Sequence, residues 1–214
     1  MFVRPCWKPH SENEIYEFID QNPWGLMVNN GEHGPYATNL PLLLDRSRKG
    51  KGVLVGHIAR ANAHAAVLSS GAAPALAVFQ GPYSYVTASW YPKRDMPPTY
   101  YYTAVHCYGS LRIQDEHELH RWVEILTERM ELQVENGWKT SEIEELAFTR
   151  RLKAILGFEI EIERLEGKFK LGQDEPEVDA LAVAEHLASR NEGTDRDLGE
   201  RICKYSGQRR KSGD

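Results

Sequence analysis

Arg60 and Asn62 are the residues of this chain best suited to hold an anion, and they stand in the segment VLVGHIARANAHAAVLSSG, residues 53–71. A guanidinium offers a planar fork of donors that matches a phosphate. Asn62 sits where a helix N-cap belongs, ahead of the Ala-rich segment Ala63–Leu68, and Gly71 closes the segment. The first-turn N–H groups of a helix lack internal partners and carry the positive end of its dipole. Upstream, Val53, Val55 and His57 alternate with Leu54 and Ile58, the period of a strand. A strand that passes an arginine into a capped helix describes an anion site, with His57 able to face a ligand ring.

Two further segments are dense in polar and aromatic groups. Ser89, Trp90, Tyr91, Thr99, Tyr100, Tyr101 and Tyr102 crowd around the proline-rich stretch TASWYPKRDMPPT, residues 87–99. Flat aromatics beside a phosphate site suit a planar ring that gains from stacking; tyrosines are also good strand formers, and the pattern leaves both readings open. In EGKFKLGQ, Lys168 and Lys170 are two residues apart and can point to one side, towards a phosphate or into solvent near a turn. His117 and His120 are spaced i, i+3 on a charged helix face, with no carboxylate-and-histidine set to define zinc. There is no GxSxG, P-loop or GxGxxG motif and no nucleophilic cysteine context, which argues against a hydrolase, a kinase or a Rossmann dehydrogenase.

The elements that position these groups follow from periodicity and punctuation. Ser11 and Glu14 form a capping box for a helix with Ile15, Phe18 and Ile19 on one face, ended by Asn22–Pro23. Gly25–Val28 and Tyr36–Leu44 read as strands around the turn cluster Asn29–Gly34. Ala75–Phe79 is a short apolar strand, Gln80–Pro82 a turn, and Tyr83–Val86 a strand pairing back. Tyr100–Ile113 is a long strand, and Asp115 to about Asn136 a long amphipathic helix. A capping box at Ser141 and Glu144 opens a helix ending near Gly157. Phe158–Glu163 alternates strictly, with Phe158, Ile160 and Ile162 on one face and Glu159, Glu161 and Glu163 on the other, as in a half-exposed antiparallel strand. The GKFKLGQDEP loop, a helix over Glu177–Arg190 and a polar, mobile tail at 191–214 complete the chain. About six short strands without βαβ repeats predict an α+β fold, a small antiparallel barrel with flanking helices. The boundary falls at 175: a barrel domain over 1–175, then a C-terminal helix and tail over 176–214.

Composition bounds the partners. At 214 residues and 41% hydrophobic the chain has material for one core. Its net charge of −5 gives little support to a nucleic-acid surface, and no basic recognition helix is evident. No apolar run reaches membrane-spanning length, and MFVRPCWKPH has no signal-peptide character, so a cytoplasmic protein without a membrane partner is expected. Cys6, Cys107 and Cys203 form no CxxC pair, which fits a reducing compartment.

Taken in order, the blocks MFVRP, NLPLLLD, GHIARAN, AVFQGPYSYVTASWYP, PTYYYTAVHCYG and GFEIEIERLEGKFKLGQ resemble the PaiB-type family, the FMN-binding "negative transcriptional regulators". The resemblance implies an antiparallel Greek-key split β-barrel like those of flavin reductases and pyridoxamine-phosphate oxidases. It implies a homodimer with FMN at the subunit interface, acting as a transcriptional regulator or a flavin-linked redox protein. The cofactor-binding set it suggests is Asn39, His57, Arg60, Asn62, Ser89, Trp90, Thr99, Tyr100 and Lys168, the last near the phosphate, the flavin's N1/O2 edge or a small-molecule substrate. Family members often read Trp-Asn-Tyr where this chain has Tyr100-Tyr101-Tyr102. One branch resembles haem-dependent enzymes that close an N–N bond, the piperazate synthases. Haem is therefore the alternative cofactor, with His57 or His64 as axial ligand, and whether the chain is a catalyst stays open. The intact Arg60, Asn62 and Lys168 argue against a barrel whose cofactor site has decayed.

Overall fold

The computed structural model describes residues 1–48, 50–70, 74–190 and 192–212. Its elements are α1 (Glu12–Gln21), β1 (Trp24–Gly31), β2 (Gly34–Asp45), β3 (Val53–Ala59), α2 (Ala63–Ser69), β4 (Pro74–Val86), β5 (Thr99–Ile113), α3 (Glu116–Glu131), α4 (Glu145–Leu152), β6 (Ile155–Lys170), α5 (Glu177–Ser189) and α6 (Asp195–Ser212). The strands pair in the order β1-β2-β3-β6-β5-β4 and close into a barrel. Antiparallel registers include Leu26↔Asn39, Leu43↔Val55, Val55↔Glu159 and Val28↔Leu76. This is the expected antiparallel barrel with flanking helices. The contacts group the chain into two compact units: Ile19–Phe79 with His106–Leu165, and Met1–Phe18 with Gln80–Val105 and the chain from Glu166 onward.

In the first of these units, alternate residues of β2, β3 and β6 bury Leu42, Leu44, Leu54, Ile58, Phe158 and Ile160. Gly56 is required here: a Cβ would lie 2.8 Å from the Phe158 ring and 2.9 Å from Leu42. Glu159, which the alternation puts on a solvent face, is instead buried, 2% exposed. Its carboxylate accepts two bonds of 2.9 Å from Arg48, pairs with Arg112 at 2.6 Å and accepts from Gln114 Nε2 at 3.3 Å. A buried carboxylate is tolerable only with such partners, and periodicity cannot see counter-charges supplied by a distant loop and strand. Arg112 also grips Glu118 through both carboxylate oxygens. That guanidinium holds the Glu118 carboxyl down at about 2. Glu118 in turn closes a capping box with Asp115 that starts α3.

In the second unit, Phe18 and Phe169 pack with ring centroids 5.1 Å apart, and Tyr205 of α6 meets Phe169. The polar tail expected at 191–214 is instead largely α6, which buries Leu198, Ile202 and Tyr205. A three-apolar stripe among many charges is too sparse to register in composition. Gly199 lets α6 approach α5, where a Cβ would lie 2.9 Å from the Ala184 carbonyl. Ser11 caps α1 through the Glu14 N–H, as expected, while the Glu14 carboxylate accepts from His10 N–H.

Other corrections concern boundaries. The turn read at Gln80–Pro82 is absent, because β4 runs unbroken through it. Gly81 answers to crowding, since a Cβ would stand 2.6 Å from both Phe18 and Thr103. The box at Ser141 and Glu144 does not form; Glu142 accepts from Lys139 N–H at 2.9 Å, and α4 ends at Leu152 so that β6 begins at Ile155. The strand carries on through Lys168 and Lys170, residues assigned to a loop. Gly71, expected to close α2, lies outside the described residues.

Replacing Glu159 by Gln strips the shared charge from Arg48 and Arg112. The arginines are partly exposed, so the loss in unfolding free energy should be about 1–3 kcal/mol. Urea denaturation measures it; a midpoint equal to that of the wild type would show the network to be idle.

Candidate cofactor site

Asn39, His57, Arg60, Asn62 and His64 belong to the unit built from Ile19–Phe79 and His106–Leu165. Asn62 does cap α2, its side chain accepting from His64 N–H at 2.9 Å. The helix has only seven residues, so the cap serves the helix and offers little to an anion. Arg60 is fixed differently. Its backbone N–H donates to the Ala154 carbonyl at 2.9 Å, tying the end of β3 to the segment before β6. Its side chain lines a cavity of about 590 Å³ with Glu116, His117, Leu119 and His120 of α3, Thr149 and Leu152 of α4, and Lys153. That volume is in the range of small-molecule sites. Neither Arg60 nor Lys153 has an acidic partner among the described residues. Two cations against the single carboxylate of Glu116, with a hydroxyl and two leucines on the same lining, suit an anionic group carried on a less polar body.

The histidines are differently placed. His64 is 1% exposed and both ring nitrogens are engaged: Nδ1 lies 2.9 Å from Thr38 Oγ1 and Nε2 lies 3.3 Å from Asn29 Oδ1. Asn29 donates its amide to the Pro74 carbonyl, so its oxygen accepts from His64. That assigns the proton to Nε2 and makes the Thr38 hydroxyl a donor to Nδ1. Iron at His64 would have to displace one of these bonds. His57 lines a void of about 10 Å³ walled by Leu43, Val55, Gln114, Leu119, Trp122 and their neighbours, just large enough for a water. Burial pushes both imidazoles below their ordinary value of 6.5. Asn39 is exposed on β2 opposite Leu26. Among the described residues no cluster of three or more His, Cys, Asp or Glu side chains could hold a metal ion.

Ser89, Trp90, Thr99, Tyr100 and Lys168 belong to the other unit. Trp90 stacks on His186 of α5 with centroids 5.3 Å apart and planes 17° apart, and Arg190 lies 5.5 Å from its ring. Ser89 accepts from Arg94 at 3.1 Å. Tyr100 is 55% exposed and meets Tyr85 edge-on. Thr99 accepts from Lys170, while Lys168 is buried among rings, its Nζ 4.8 Å from the centre of Trp7 and 5.1 Å from that of Tyr102. Thr99 and Lys168 are thus linked through Lys170 and Trp7; Trp90 and Tyr100 have other partners. Beside them Glu175 accepts from the buried hydroxyls of Tyr91 and Tyr101. Burial first, then that carboxylate, raises the Tyr91 hydroxyl to about 12.

Sequence reasoning did not place Lys153, Thr149, His117 and His120 beside Arg60. The basic run Arg150-Arg151-x-Lys153 and the i, i+3 histidines were the available signals. It also missed Trp7 and Glu175, which carry no motif.

Comparison with known proteins adds the family. Residues 1–164 match the family model described as "Putative FMN-binding domain". The chain belongs to this family. FMN is the cofactor that this membership gives it, in agreement with the resemblance read from the sequence. It is 29% identical over 200 residues to the protease synthase and sporulation protein PAI 2 of Bacillus subtilis, covering 94% of this chain and 95% of that one. Two solved structures share the fold. One is a FAD and heme binding protein from Mycobacterium smegmatis (TM-score 0.58, 17% identity, 81% of this chain and 78% of that one). The other is the flavocytochrome Anf3 from Azotobacter vinelandii (TM-score 0.58, 10% identity, 77% and 69%). No helix among the described residues is long and apolar enough to cross a membrane.

The depressed imidazole of His64 has a consequence for stability. A folded value below the unfolded one means that the unfolded chain takes up the proton first. The stabilisation is complete above about 6.5 and is lost as pH falls through the lowered value. Urea denaturation at pH 7.5 and 5.5 should show a smaller acid loss in His64→Gln than in the wild type; equal losses would remove His64 from the account.

Proposed function

We propose that this protein is a homodimeric flavoprotein whose FMN phosphate is held by Arg60, with Lys153 as second cation, in the cavity bounded by α3 and α4. The observation that carries this reading is the pair of cations without acidic partners on the wall of that cavity. Arg60 can bind two phosphate oxygens through its fork, whereas Lys153 acts as a point charge. The Thr149 hydroxyl is a further donor, and Leu119 and Leu152 supply apolar lining. Bound FMN would supply one- or two-electron redox chemistry; these residues bind and orient it. The second copy is supported by Tyr83, Tyr85 and Tyr100, aromatic side chains about half exposed on β4 and β5. A role in regulation draws support from the likeness to the Bacillus sporulation protein; the net charge of −5 makes redox or ligand sensing a better fit than DNA contact.

Titration of FMN, followed by quenching of its fluorescence, tests the site. Arg60→Ala should weaken binding by about 10- to 150-fold, the loss of one charge-assisted contact of roughly 1.5–3 kcal/mol. Arg60→Lys should recover part of the loss, and Lys153→Ala should cost less than Arg60→Ala. Undiminished affinity in Arg60→Ala would refute the assignment, and a Soret band in place of a flavin spectrum would replace the cofactor. Sedimentation of the FMN-loaded protein as a monomer at micromolar concentration would refute the dimer.

A further inference from the structure

Lys168 is 8% exposed, yet its ammonium has no hydrogen-bond or ion-pair partner among the described residues. Its neighbours are rings: Trp7 at 4.8 Å, Tyr102 at 5.1 Å and Phe2 at 5.9 Å from Nζ. Cation–π contacts recover part of the cost of withdrawing an ammonium from water, and each is weaker than a paired charge. The nearby charges do not close the balance. Lys170 places a second ammonium 5.6 Å from the Trp7 centroid and spends one donor on Thr99. Asp174 accepts from Trp7 Nε1 at 3.0 Å and is matched by Arg4 at 3.0 Å. Glu175 accepts from Tyr91 and Tyr101. With the Met1 ammonium matched by Glu166, Lys168, Lys170 and Arg4 face Asp174 and Glu175, acids already committed elsewhere, and Lys168 has no counter-ion among these groups. Phe2, at 73% exposure, adds open apolar surface to the same cluster.

We infer that Lys168, with Trp7, Tyr102 and Phe2, forms a second ligand site, separate from Arg60 and its cavity, that binds the carboxylate of a small acid with an aromatic or other apolar body. The carboxylate supplies the missing counter-charge, and the ligand's apolar body covers the exposed Phe2 ring. A neutral analogue of the same shape gains the apolar contact and forfeits the ion pair. A small carboxylate without a body gains the ion pair alone.

The test is calorimetric titration of the full chain, in excess FMN, with benzoate, benzamide and acetate as probes. Benzoate should bind saturably, with benzamide and acetate each at least 10-fold weaker. Lys168→Met keeps the apolar stem and should weaken benzoate at least 10-fold; Lys168→Arg should keep most of the affinity. Absence of saturable benzoate binding, or benzamide binding as well as benzoate, would overturn the inference on the wild-type protein alone, whatever the fate of the variants. Benzoate binding that survives Lys168→Met would also overturn it. None of these outcomes depends on whether Arg60 holds FMN, which the FMN titration decides.

Discussion

A single buried carboxylate organises the half of this protein that carries Arg60. Glu159 is buried on β6 and is tolerated only because Arg48, from the turn after β2, and Arg112, on β5, reach it. Arg112 also donates to both carboxylate oxygens of Glu118, and Glu118 fixes the first turn of α3. The helix so anchored brings His117, Leu119 and His120 to the wall of the cavity in which Arg60 stands. A charge hidden in the sheet therefore sets the entry of the helix that lines the cavity beside Arg60. Burial of ions is weak evidence for stability, but a network with one sterically defined arrangement serves to specify geometry.

The second constraint is steric. Gly56 and Gly81 each stand where a Cβ would meet a ring or hydroxyl at 2.6–2.8 Å, so neither can be replaced without displacing Phe158 or Phe18. Gly81 is instructive because a glycine before a proline reads as a turn, whereas it permits close approach within an unbroken strand. Crowding of that kind is a property of the partner side chains and leaves no mark on the local sequence.

Much of the barrel was legible in advance. The alternation in Val53–Ile58 and Phe158–Ile162 and the caps at Ser11 and Asn62 placed strands and helices near their observed positions. Legibility failed where long-range partners decided the outcome. Glu159 obeys the period of its strand and violates the polarity rule, because its counter-charges come from residues 48 and 112. Helix α6 hides a three-residue apolar stripe among charges. Arg60 was singled out from its chemistry, but its setting was not legible: the capped helix is short and self-satisfied, and the residues beside Arg60 come from α3 and α4. His64 looked available from its place in a first turn, and only the fold reveals that Thr38 and Asn29 occupy both of its nitrogens.

The connectivity of the barrel bears on how the chain can reach this structure. β3 pairs with β6 across roughly a hundred intervening residues, and β4, β5 and β6 each lend one stretch to either compact unit. Neither unit is a contiguous piece of chain, so neither can be completed while the ribosome still holds β6. Closing so long a loop costs entropy before any of its contacts form, which places folding among the slower, non-local cases. Until β6 arrives, β3 presents an unpaired edge rich in valine and isoleucine, the period in which a nascent chain of this kind is most open to aggregation.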